Sequence, residues 1–194
     1  MTKFSKIALC ALILGSSMFF TSCNDTNETP TELSLYQKLG GTKMVTDPNN
    51  TSMMIEQGRL SFRSVVDSTI VLIVSDIVAG NEGNLGAHFA PLAGEVFGPT
   101  MNTTNVAVLS KNLTDFFSAN TGGGATNTYS GLNMVDAHNP AIHPRMGKKA
   151  NNADYDRFIG FVGAAAGKNG VTDPKIIGEV VAVLESLRAP IVQE

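Results

Sequence analysis

Three stretches in the second half of the chain repeat apolar residues every three or four positions, and that spacing limits the fold more than any other feature. Asn105 to Asn120 carries Val108, Leu109, Asn112, Leu113, Phe116 and Phe117 on one stripe, the pattern of an amphipathic helix. Asn151 and Asn152 are capping residues for a second segment with Tyr155, Phe158, Ile159 and Val162, which ends among the glycines between Gly167 and Gly170. Thr172-Asp173-Pro174 opens a third, because a capping side chain is followed by proline at the first helical position. Ile177, Val180, Val181, Leu184 and Leu187 then point inward, with a stop before Pro190. Helices of this kind hide their stripes against one another.

The N-terminus has a different character. Lys3 and Lys6 precede an apolar run, Ile7 to Phe20, too short for a membrane span, and Thr21-Ser22-Cys23 follows as a small-residue cleavage site. Residues 1–22 therefore read as an export segment. A cysteine directly after the cut resembles the bacterial lipoprotein signal, which implies acylation of Cys23 and anchoring of an exported protein to a bacterial membrane, on its periplasmic side or at the cell surface. The polar stretch from residue 23 to residue 31 is then a tether. Cys10 leaves with the export segment, so no disulfide is expected. Roughly 170 residues remain, enough for one domain, 32–194, with its own core. The net charge of −3 and the lack of a basic patch argue against nucleic acid as a partner.

Chemistry concentrates in Tyr129-Ser130-Gly131-Leu132-Asn133-Met134-Val135-Asp136-Ala137-His138, which follows Gly122-Gly123-Gly124. If this segment is helical, Gly131, Met134 and His138 share one face, and a thioether lies one turn before an imidazole. Tyr-x-Gly-x-x-Met-x-x-Ala-His after paired glycines, together with Leu35-Tyr36-Gln37-Lys38-Leu39-Gly40-Gly41, resembles the truncated haemoglobins, most closely group I. The resemblance covers about Leu35 to Val192, strongest at the two ends. It implies an all-α fold, a two-on-two helical sandwich with loop insertions around haem b, with His138 as the iron ligand. Met134, Phe89, Leu109, Leu113, Phe116, Tyr155 and Phe158 become cofactor contacts, and Ile70 with Thr69 the distal pocket.

Other assignments follow from it. Ile70-Val71-Leu72-Ile73-Val74 alone suggests a buried strand, whereas the family register makes Leu60 to Val78 a helix. Leu33, Tyr36 and Leu39 would form the buried face of a short helix stopped by Gly40-Gly41. Thr42 to Gly58 reads as an inserted loop or hairpin with a turn at Thr46-Asp47-Pro48-Asn49-Asn50. Residues 139–152 form a second insertion. In it His143 reads as surface, and Arg145, Lys148 and Lys149 as solvated charge within reach of haem propionates. His88 reads as a rim residue or a distal ligand.

Family members hold oxygen through a tyrosine and glutamines, where this chain has Ile70, Leu109 and Leu113. A missing hydrogen bond of that kind is worth roughly 1.5–3 kcal/mol, so fast oxygen release and relatively better binding of carbon monoxide or nitric oxide are expected. The leading expectation is reversible binding of a diatomic gas, meaning oxygen binding or transport. A haem-dependent nitric oxide dioxygenase or peroxidase, and a haem-less interaction lipoprotein, are the rivals. No flavin or nicotinamide motif is visible, so no reductase partner is named.

Overall fold

The computed structural model describes residues 32–194. The export segment, Cys23 and the tether lie outside the described residues. Within them the chain is mostly helical and carries one two-stranded sheet.

A short helix, α1 (Leu35–Lys38), leads through paired glycines into a hairpin, β1 (Met44–Asp47) and β2 (Asn50–Glu56), and then directly into the long helix α2 (Gln57–Val78). Of the two forms expected for the first insertion, the hairpin is the one formed, with Val45 opposite Ile55 and Thr46 opposite Met54. Asp47 fastens it to α2 by accepting from both Nη atoms of Arg63 at 2.7 and 2.9 Å, and this guanidinium pulls its carboxyl down to about 2. The start of α1 differs from expectation. Ser34 and Gln37 form a capping box, so the helix begins after Leu33, which is left 57% exposed while Leu35 and Tyr36 are buried.

The β-branched run of residues 70–74 is helical. Phe62, Val66, Thr69, Ile73 and Asp76 go inward at steps of four and three, and that stripe outweighs local strand preference. The one carboxylate in the stripe is answered across the interior, where Arg157 donates to both oxygens of Asp76 at 2.7–3.0 Å. Asp76 thereby joins the end of α2 to a later helix, and its carboxyl lies below the usual range because of this pair.

After a 3-10 turn (Leu85–Ala87) come α3 (Ala90–Phe97), α4 (Thr104–Ser118), a π-type turn (Ala119–Gly123) and the single turn α5 (Met134–Ala137). The domain closes with α6 (Asn152–Lys168), α7 (Pro174–Ser186) and α8 (Arg188–Ile191). Asn151 caps α6 in a capping box with Asp154, and Asp173 caps α7 ahead of Pro174, as their sequences suggest. Along α7 the inward stripe is shifted from expectation. Leu184 is buried and Ile176, Val180 and Val183 pack against the cluster of Leu35, Tyr36 and Phe62, whereas Ile177 and Val181 are about two-fifths exposed.

The core runs through Tyr36. Its ring stacks on Phe62, which stacks on Phe117, and it fits only because two neighbours lack side chains. A Cβ on Gly58 or on Gly123 would lie 2.9 Å from the ring. The Tyr36 hydroxyl donates to Glu56, and Asn127 donates to that hydroxyl at 3.0 Å and to Glu56 at 2.9 Å. Arg59 continues the network to Asn127 and to the buried Asp115. Burial and the bond to Glu56 push the phenol up to about 12. These contacts hold α1, the hairpin, α2 and the end of α4 as one unit, and α2 in turn packs against α4 and α6.

Candidate functional site

His138 ends α5. Asn133 caps that turn by accepting from the Asp136 amide at 3.0 Å, and the residues before it, 129–133, are irregular. The helical face expected for Gly131, Met134 and His138 is therefore cut to its last two members. Tyr129 explains part of this, since its hydroxyl bonds to the Leu132 carbonyl at 2.6 Å and closes a local loop.

The orientation of the imidazole follows from one bond. His138 Nδ1 lies 2.8 Å from the Met134 carbonyl oxygen. A carbonyl only accepts, so Nδ1 carries the proton and Nε2 keeps a free lone pair. Burial pushes the His138 pKa below its ordinary 6.5, the Met134 carbonyl works weakly the other way, and the nearby His143 and His88 add to the fall. The ring is thus neutral at neutral pH, the form in which imidazole serves as a ligand.

Beside this ring lies an apolar cavity of about 190 Å³ that opens to solvent. Leu109, Leu113, Phe116 and Phe117 of α4 form one wall. Tyr155 and Phe158 of α6 with Leu184, Leu187 and Ile191 form another, and Phe89, Met134 and Leu132 complete it. Aromatic contacts stiffen both walls. Phe116 meets Tyr129 edge-on at 5.2 Å, and Tyr155 stacks on Phe158 at 6.1 Å. The polar tip of Tyr155 is tied off to the Leu184 carbonyl at 2.6 Å.

The structure therefore brings His138, Met134, Phe89, Leu109, Leu113, Phe116, Tyr155 and Phe158 together around one space. Ile70 and Thr69 are not among them. Ile70 lines a separate apolar hollow between α2 and α3, with Phe89 and Leu109 forming part of its wall as well as the wall of the main cavity. Thr69 is buried with its hydroxyl bonded back to the Val65 carbonyl at 2.8 Å. It faces a hollow bordered by α6 and α7.

The other two histidines sit deeper than their sequence context suggests. His88 is 3% exposed, not a rim residue, and lines the cavity. Its Nδ1 lies 3.1 Å from the Lys148 carbonyl oxygen, and Nε2 lies 3.0 Å from Asp154 Oδ2 without the alignment of a hydrogen bond. Burial raises the Asp154 carboxyl, but bonds from the Asn151 amide, His88 and Lys148 bring it below its usual value. Its Nδ1 bond makes His88 a fastening for the loop, while Nε2, buried against Asp154, has no hydrogen-bond partner among the described residues. His143, read as surface, is half-buried and lines the cavity, with Nδ1 3.1 Å from the Ala137 carbonyl oxygen. Asp154 and Asn112 also reach the cavity wall, and only the helical phase of Asn112 marks either of them in the sequence.

No protein-family model matches the chain, and no curated protein matches it.

The buried neutral imidazole generates a pH prediction. Its folded pKa lies below 6.5, so the unfolded chain takes up this proton first, and the stability tied to it is lost as pH falls through that range. Urea unfolding of the wild type between pH 7.5 and 5.5 is expected to shift to lower midpoints, with a smaller shift in His138→Leu. Nitrogen NMR should show the Nδ1–H form at pH 7; the Nε2–H form would contradict the assignment.

Proposed function

We propose that this domain holds haem b in the cavity beside His138 and binds a diatomic gas reversibly, in the manner of a truncated haemoglobin. The observation that carries the reading is the bond from His138 Nδ1 to the Met134 carbonyl, which leaves Nε2 free against an apolar space. A histidine that ligates a metal commonly donates its other nitrogen in this way. Among the described residues no three His, Cys, Asp or Glu side chains come together as a metal cluster. A porphyrin brings its own ring donors, so one histidine is enough to hold its iron.

Haem, when bound, would supply an iron that can take oxygen, carbon monoxide or nitric oxide, and His138 would hold it. The chain's own contribution is to hold and to exclude. His138 is the ligand. Phe89, Leu109, Leu113, Phe116, Tyr155 and Phe158 keep water from a flat apolar guest, and Met134 packs at the foot of the imidazole. The packing of α2 on α4 and α6, and of α6 on α7, is compatible with the two-on-two sandwich of that family, with a hairpin added before α2. Leu109, Leu113 and Phe116 offer a guest no donor from α4, and Asn112, the amide of that wall, lies toward the cavity's edge; this favours reversible binding over the enzymatic alternatives.

Haemin added to the purified protein should give a Soret band at one equivalent, absent or strongly weakened in His138→Ala. A full band in the variant would remove His138 from the role. Leu113→Gln places an amide on the α4 wall and should slow oxygen release about tenfold or more, given a charge-assisted bond of roughly 1.5–3 kcal/mol. Stopped-flow release rates check it, and equal rates would count against the apolar-wall account.

The location belongs to the same reading: an exported protein anchored through lipid on Cys23. Among the described residues no helix is long and apolar enough to cross a membrane. Metabolic labelling with a fatty acid should mark the wild type and not Cys23→Ser.

A further inference from the structure

The loop of residues 139–149, between α5 and α6, brings three basic side chains near the cavity, and they are not equivalent. Lys148 is committed, its ammonium 3.2 Å from Asp154 Oδ2, and Lys149 is exposed. Arg145 is half-buried and has neither a carboxylate nor a hydrogen-bond partner among the described residues. It lines a small hollow together with Asn112, His143 and Met146, and these last three also line the main cavity, so the hollow is the cavity's edge on that side.

The groups gathered there have unused capacity. The Asn112 amide makes no side-chain hydrogen bond among the described residues, whereas Asn105 on the same edge is taken by Glu95 at 2.7 and 2.9 Å. His143 uses Nδ1 on the Ala137 carbonyl and leaves Nε2 open. A guanidinium and an amide thus stand without side-chain partners where an apolar cavity meets its mouth, while the open Nε2 of His143 is a lone pair that has no proton to give a carboxylate. A half-buried guanidinium left unpaired is unfavourable, and the group that satisfies it best is a carboxylate.

The loop is also held in place before anything binds. The Gly147 amide donates to the His88 carbonyl at 2.6 Å, His88 Nδ1 donates to the Lys148 carbonyl at 3.1 Å, and the His143 amide donates to Asn139 at 2.8 Å. Ordering that would otherwise oppose binding is already complete.

We infer that Arg145 and Asn112 form a carboxylate-reading edge, and that the inserted loop determines how long a flat apolar guest with acidic groups on one rim stays in the cavity. This rests on the haem reading above, in which that rim is the propionate edge.

The test compares haem with its dimethyl ester, the same ring without charged carboxylates. Loss of each from the mature protein to excess apomyoglobin is followed by absorbance for wild type, Arg145→Leu and Arg145→Lys. Arg145→Leu should release haem about tenfold faster than wild type, the effect of removing a charge-assisted bond. It should release the ester at nearly the wild-type rate. Arg145→Lys should fall between the two for haem. Equal acceleration for haem and ester, or none for either, overturns the assignment while a Soret band in all three proteins keeps the haem reading intact. No Soret band in the wild type overturns both.

Discussion

One hydrogen bond orders the chemistry of this domain, the donation from His138 Nδ1 to the carbonyl four residues earlier. It does three things at once. It selects the tautomer, it satisfies the polar hydrogen of a buried ring, and it leaves the remaining nitrogen lone pair as the one unspoken-for group of that imidazole. A histidine with both nitrogens bonded would be only a fastening. The shortness of α5 matters here, because a helix continuing past Ala137 would carry the ring round with it instead of ending at a capping position where it can turn back.

That bond has meaning only if a space stands beside the ring, and the space depends on helices held apart at the correct distance. Charged and polar ties do much of this work. Asp76 and Arg157 join α2 to α6, and Tyr36, Glu56, Asn127, Arg59 and Asp115 bind the N-terminal elements to the end of α4. Both sets lie away from the cavity lining, so the walls themselves stay almost free of polar atoms. An apolar space of this size would collapse if its surroundings could move inward, and rigid aromatic pairs such as Phe116 with Tyr129 oppose that collapse.

What was legible in the sequence follows the range of the interaction concerned. Helix starts at Asn151 and Asp173 are written in capping residues a few positions from the turn they close, and the structure has both. The stripe from Leu109 to Phe117 is equally local, and it faces the cavity. Leu33 was misplaced because Ser34 competes as the cap one residue further on. The run 70–74 is ambiguous by composition, since valine and isoleucine suit strands; only burial at Phe62, Val66, Thr69 and Ile73 decides it. The depth of His88 depends on a carbonyl sixty residues away in sequence, which no periodicity encodes. Ile70 illustrates the same limit, for its helix was foreseen but the intervention of Phe89 and Leu109 was not.

The second insertion gains a physical rationale from these contacts. A loop of fourteen residues between α5 and α6 would ordinarily be free to leave the domain, and its prolines and glycine give it no helix or strand of its own. His88 prevents this by meeting the loop backbone and Asp154 together, and Lys148 adds a second hold on the same carboxylate. The partly buried Asp154 carboxylate is answered by the Lys148 ammonium and by the Asn151 amide, two donors that compensate one desolvated charge. The consequence reaches the cavity. With its lysine engaged by Asp154, the loop keeps its arginine for the edge, and an insertion that looks like surface becomes part of the wall.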